Sequence, residues 1–138
     1  MEQSDHSTQF VAMTEDAKSG LNLIDGFTAV DFSKIVPVLC PCGLARRALQ
    51  DDPRVPYSLH ITEISTDAKT HYHRNTVETY IILECDTGAS LEVDGHTIPV
   101  APQSAVVIYP GARHRAVGKM KVVIIASPKF DPLDEWLD

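Results

Sequence analysis

What the chain lacks narrows its class first. No stretch of its 138 residues approaches the ~18 consecutive apolar residues of a membrane-spanning helix. Basic residues are few: 12 Lys and Arg stand against 19 Asp and Glu, for a net charge of −7. A phosphate-binding surface needs clustered Lys and Arg, so nucleic acid is excluded as an expected partner, and docking on an anionic membrane with it. Cysteine is scarce. Three residues make an odd count, and a link between Cys40 and Cys42 across the single residue Pro41 would be strained. The first 20 residues also lack a basic-then-apolar leader pattern, so the expected compartment is the reducing cytoplasm. Proline-free room for a long helix is missing beyond residue 36, because all nine prolines are scattered between Pro37 and Pro132. What remains is a chain of one-domain length whose 43 % apolar residues suffice for a core without disulfide staples.

Residues 1–20 read as a flexible lead-in of Asp, Glu, Ser, Thr and Gln, with only Phe10, Val11 and Met13 as an apolar cluster. From Leu21 to Asp138 the pattern is that of one domain built from short strands broken by Gly, Pro and Asp. Tyr57 to Ile64 alternates Tyr57, Leu59 and Ile61, and Thr79 to Leu83 is β-branched or aromatic almost throughout. Leu91 to Val93, then Asp94-Gly95, then His96 to Val100 predicts a hairpin, since Asp-Gly supplies the positive φ angles of a two-residue turn. Ala105 to Tyr109 and Lys121 to Ala126 complete the apolar strands. The one plausible helical turn, Leu44 to Gln50, reads equally as irregular chain. Residues 127–138 form an acidic tail whose Phe130, Leu133 and Trp136 are expected to dock on the wall of the domain. Many short strands at regular spacing predict an all-β sandwich or closed barrel.

Chemistry concentrates in two stretches. Thr70 to Arg74 reads Thr-His-Tyr-His-Arg. Residues two apart on a strand share a face, so His71 and His73 aim at one point while Tyr72 faces away. Glu78 follows after four residues. Tyr109-Pro110-Gly111-Ala112-Arg113-His114 then ends an apolar strand, turns at Pro-Gly and delivers a third histidine in a register set by backbone chemistry. Three imidazoles and a carboxylate suit a divalent transition metal (Fe, Mn, Co, Ni, Zn or Cu) better than Mg or Ca. A His-x-His pair alone is more often a polar surface pair; Glu78 and His114 make it a site.

These residues resemble the cupin superfamily. Its first motif has His-x-His, a few residues, Glu, six residues and Gly; His71, His73 and Glu78 match, with Cys85 in place of the closing Gly and Ser65 in place of the opening one. Its second motif has Gly, five residues and Pro-x-Gly-x-x-His; Gly111 and His114 match, with Pro110 in the variable slot, Tyr109 for the Pro and Gln103 for the leading Gly. The lost glycines alter turns rather than ligands. The resemblance, closest to small stand-alone cupins of the sugar-isomerase-like group, implies a single double-stranded β-helix (jelly-roll) barrel and one metal ion held by His71, His73, Glu78 and His114. It also implies a homodimer, for which uncovered edge strands give an independent reason.

If Glu78 faces the interior, so do Tyr80 and Ile82, and with His114 so does Ala116. Tyr80 is therefore a candidate catalytic and substrate-orienting residue, and His60, opposite in direction to Leu59 and Ile61, a second candidate. Arg46 and Arg47 form a candidate clamp for a carboxylate or phosphate, or else an exposed pair in salt bridges. Cys40-Pro41-Cys42-Gly43 reads as a tight loop with two partly buried thiols, or as a thiol at the barrel mouth near the metal; a zinc knuckle would need a second pair. Arg113 and Arg115 are expected to point away from the metal. The expected activity is that of an enzyme on a small polar or carboxylate metabolite, with dioxygenase chemistry placed ahead of a Lewis-acid isomerase, decarboxylase or lyase on a sugar or keto acid. A non-catalytic ligand-binding module is the remaining alternative.

Overall fold

The computed structural model of the chain describes residues 15–16, 21–24, 26–66 and 68–138. The expected flexible segment 1–20 lies outside these apart from residues 15–16. The chain divides into two compact units, 1–36 and 37–138. In the first, β1 (Glu15–Asp16), β2 (Leu21–Ile24) and β3 (Phe27–Val30) pair antiparallel in that order, and Asp31 caps a 3-10 turn over Phe32–Lys34. No helix among the described residues is long and apolar enough to cross a membrane.

The second unit holds two antiparallel sheets. One has six strands in the order β10-β7-β12-β6-β5-β4, from Ala105–Ile108, Val77–Cys85, Met120–Ser127, Ser58–Ile64, Gly43–Ala48 and Val38–Cys40. The other has three, β11-β8-β9, from His114–Val117, Ser90–Val93 and His96–Pro99. Their inner faces share one core, in which Ile82 and Val122 of the larger sheet pack with Leu91 and Ala116 of the smaller. Strand periodicity is strict where it matters. Glu78, Tyr80 and Ile82 of β7 are buried in alternation, as are Met120, Val122, Ile124 and Ala126 of β12.

The Asp94-Gly95 hairpin forms as the sequence predicts, with φ of 47° and 81° at the two turn residues. Gln103, which stands where the cupin motif has glycine, keeps a glycine-like φ of 76°. The turn shape thus survives the loss of the residue that adopts it most easily.

One expectation is corrected and one open point is decided. Leu44 to Gln50 is not a helical turn: Gly43–Ala48 is a strand, paired to β6 from Gly43↔Ile64 to Ala48↔Leu59. Tertiary pairing overrides a weak local preference here. In β6, whose alternation left the inner face open, the apolar set Leu59 and Ile61 does not mark the interior. The fully buried face is Ser58, His60, Thr62 and Ile64, because this end of the interior is a polar cavity rather than a greasy core.

Gly43 is where β5 enters the sheet. A Cβ there would lie 2.1 Å from the Glu63 carbonyl oxygen, at a φ of +152°. Gly43→Ala is therefore expected to cost about 2 kcal/mol or more, read as a lowered urea midpoint, through backbone displacement and strain.

Candidate metal centre

His71, His73, Glu78 and His114 converge: their ligand atoms all lie within 4.8 Å of one another, and all four residues are buried. Donors about 2.1 Å from one ion lie at most about 4.2 Å apart, so only a small contraction is needed. Backbone pairing brings them together. The amide of His71 donates to the carbonyl of His114 at 3.0 Å and the amide of His114 returns the bond at 2.9 Å. On the other edge of the same short segment, Tyr72 and Trp136 exchange two bonds of 3.0 Å. The Pro110-Gly111 turn closes with Ala112 donating to the Tyr109 carbonyl, Gly111 at a φ of 87°, and Gly111 donating to the carbonyl of His73.

The imidazoles are oriented by carbonyl oxygens. Nδ1 of His71 donates to Lys69 at 3.0 Å, that of His73 to Asp134 at 2.7 Å, and that of His114 to Ala112 at 2.9 Å. A carbonyl oxygen only accepts, so each Nδ1 carries the proton and each neutral ring turns the lone pair of Nε2 to the centre. There Glu78 sets its oxygens 3.2 Å from Nε2 of His73 and 3.1 Å from Nε2 of His114. Nε2 of His73 is buried without a properly aligned hydrogen bond. Lone pairs facing carboxylate oxygens at this range repel unless a cation, a proton or a metal ion, lies between them. The donor set therefore fits a metal, and neutral imidazole with carboxylate suits a divalent transition ion.

Charge follows the same geometry. Burial alone would raise the Glu78 carboxyl, but the His114 and His73 imidazoles beside it hold it well below the usual range. For His73, burial lowers the imidazole and Glu78 beside it more than compensates, leaving it raised. His71 and His60 are both lowered to about 4, burial being the first cause, with the His114 charge next for His71 and that of Arg47 next for His60. Tyr80 is pushed well above its ordinary value by burial and the charge of Glu78.

A cavity with room for about one water opens beside His71 and Glu78. Tyr80, His60 and Arg47 line it. Arg46 does not join them: it is the neighbour of Arg47 on the same strand, so it faces the opposite side of the sheet. Arg47 lies over the Phe130 ring at 3.8 Å, and Nε of Arg47 and Oγ1 of Thr62 are buried without a hydrogen-bond partner among the described residues. His60 is tied to Ser58 Oγ at 2.8 Å and meets Phe130 edge-on. Arg113 and Arg115 face outward, as expected, pairing with Asp138 and Glu92. His96 is exposed, and His6 lies outside the described residues.

The tail contributes what sequence reasoning missed. Leu133 is 85 % exposed and docks on nothing, while Phe130 is buried in the cavity wall. Asp134 is buried, and its carboxylate accepts the amides of Arg74 and Asn75, both at 2.9 Å, together with Thr76 Oγ1 and Trp136 Nε1. Between Asp134 and Trp136, the side chain of Glu135 turns to the cavity, where burial raises its carboxyl. An acidic tail carries no local pattern that singles out either residue.

The domain has the cupin fold. A protein of known structure from Planctomyces limnophilus is 41 % identical, with 79 % of this chain and 95 % of that chain covered at a TM-score of 0.75. The fold is shared with a Streptomyces Pac13 variant solved with uridine (14 % identity, 77 % and 86 % covered, TM-score 0.67), Pac13 being described as a nucleoside dehydratase. It is shared too with ectoine synthase from P. lautus (23 % identity, 74 % and 78 % covered, TM-score 0.61). No protein-family model matches the sequence, and no curated protein does.

Two outcomes are expected. Asp134→Ala frees the loop that carries His73, so the affinity for zinc measured against a competing chelator falls about 10- to 100-fold. In chelator-treated protein, His60 and His71 titrate near 4 when folded but near 6.5 when unfolded. The unfolded chain then binds more protons between these limits, so their contribution to stability is complete above about pH 6.5 and is lost as pH falls towards 4. His60→Asn is expected to flatten that fall by on the order of 3 kcal/mol in urea unfolding at pH 7 and pH 4.

Proposed function

We propose that the chain is a metal-dependent enzyme that acts by proton transfer on a small carboxylate or similarly polar metabolite. The observation that carries this reading is the set of convergent lone pairs at His71, His73, Glu78 and His114 beside a cavity whose wall is itself polar. A divalent transition metal bound by these four residues would act as a Lewis acid towards a substrate oxygen. The remaining steps fall to the chain's own groups. Arg47, with a buried Nε that lacks a partner, and Thr62 Oγ1 supply donors for a carboxylate. Glu135, the acidity of which is weakened by burial, is the group best placed to give or take a proton. His60 stays neutral at pH 7, and Tyr80 keeps its phenolic proton and can donate to a substrate oxygen.

Proton-transfer chemistry is put ahead of oxygen chemistry because titratable groups occupy the wall, and the description of Pac13 as a dehydratase points the same way. A homodimer in the cytoplasm is part of the same proposal. Edge strand β10 leaves Val107 exposed, with Tyr109 just beyond it, and a second copy would cover that edge.

Elemental analysis of protein purified without added metal is expected to find a divalent transition metal in wild type and little in Glu78→Gln. A panel of small carboxylates should then raise the melting temperature of the metal-loaded protein, with affinity reduced 10- to 100-fold in Arg47→Met. Iron in the protein together with oxygen uptake on adding a carboxylate would replace this reading with a dioxygenase.

A further inference from the structure

The Cys40-Pro41-Cys42 hairpin plays no part in the chemistry above, yet it sits in the cavity wall beside His60 and Arg47. Cys40 ends β4 and pairs with Gly43, which opens β5, so Pro41 and Cys42 form the two-residue turn. The turn sets the two sulfur atoms 2.9 Å apart. Both thiols are free, one partly exposed and one buried. The hairpin is also wired to the metal centre. The carbonyl of Cys42 accepts the amide of Ser65 at 3.1 Å, and the carbonyl of Pro41 accepts the amide of Lys69 at 2.8 Å. The carbonyl of Lys69 is in turn the acceptor that orients His71.

We propose that Cys40 and Cys42 are a peroxide-oxidisable thiol pair, whose oxidation to an intrachain disulfide weakens metal binding by shifting the Pro41–Lys69–His71 chain of hydrogen bonds. Cys40 is the attacking sulfur. It is the more exposed of the two, and the Cys42 thiol, then the amides of Cys42 and Gly43 and the charge of Arg47, lower its pKa to about 7 against the opposing effect of burial. Cys42, buried and held above its ordinary value, keeps its proton and waits.

The chemistry balances with a hydroperoxide as oxidant. The Cys40 thiolate attacks the terminal oxygen, the O–O bond breaks, and the departing alkoxide or hydroxide takes a proton, leaving a sulfenic acid on Cys40. The Cys42 thiol gives up its proton, its sulfur attacks the Cys40 sulfur, and water leaves as the S–S bond forms. Two electrons pass from the thiol pair to the peroxide. A disulfide spanning one residue is strained, hence readily reduced, so the pair returns to thiols in a reducing environment.

The oxidation arm does not depend on the metal reading; the loss of affinity does. Full-length protein, loaded with redox-inert zinc so that the centre cannot itself supply oxidising equivalents, is treated with hydrogen peroxide and digested with trypsin. Both cysteines fall in one peptide, Ile35 to Arg46. That peptide is expected to lose two hydrogens and to regain them with dithiothreitol. In Cys42→Ser the reaction should stop at a sulfenic acid on Cys40 that dimedone traps. In untreated wild type, Cys40 should alkylate roughly tenfold faster than Cys85 at pH 7. A peptide that stays fully reduced while Cys85 oxidises, or that goes straight to sulfonic acid in wild type, overturns the pair. For the coupling, zinc affinity against a chelator is expected to drop about tenfold on oxidation and to recover on reduction. Equal affinity in the two states overturns the coupling. Reduced protein that binds no metal at all refutes the metal centre while leaving the mass result to decide the thiols.

Discussion

The structure depends on one electrostatic constraint. A carboxylate, Glu78, is buried among three imidazoles whose Nδ1 atoms are all committed to backbone carbonyls. Burying that charge is tolerable only if a cation shares the space, whether protons on His73 and His114 or a metal ion. Everything around the site serves to hold the four groups at this distance: the His71–His114 bridge, the Pro110-Gly111 turn, and the carbonyls of Lys69, Ala112 and Asp134. The three orienting carbonyls come from three separate segments of the chain. The convergent cluster is thus a property of the assembled domain rather than of its motifs.

The C-terminal tail illustrates this. It is a third wall of the site rather than an appendage. Trp136 pairs with Tyr72, Arg74 lies over the Trp136 ring at 3.8 Å, and the Asp134 carboxylate gathers the amides of the loop after His73. Strand-like alternation then sends Glu135 inward between two outward anchors. Phe130 works from the same tail, filling the space between Arg47 and His60. The cavity owes its small size to these insertions, and its polarity to Ser58, His60 and Thr62 on the inner face of β6.

Much of the fold was legible because strands advertise themselves locally. The Asp94-Gly95 hairpin, the alternation of Glu78, Tyr80 and Ile82, and the Pro-Gly turn before His114 each rest on backbone chemistry that neighbouring residues decide. Legibility failed where the local signal did not decide. In β6 the apolar alternation marked the outer face, since a cavity inverts the usual rule that the apolar side is the inner one. Leu44 to Gln50 carried no decisive propensity, and pairing with β6 made it a strand.

The sequence by itself singled out the four candidate ligands, because imidazole and carboxylate side chains at these spacings can converge once the chain is extended and turned. It also tied the face of Tyr80 to that of Glu78, since a strand has only two. Only the tertiary structure decided that Arg47 and not Arg46 enters the cavity, that Glu135 and Asp134 complete the site, and that Cys40 and Cys42 stand in the same wall. The physical reason is range. Periodicity and turn chemistry act over a few residues, whereas Asp134 reaches Arg74 across 60 positions, and only the packed sheets bring such distant groups into contact.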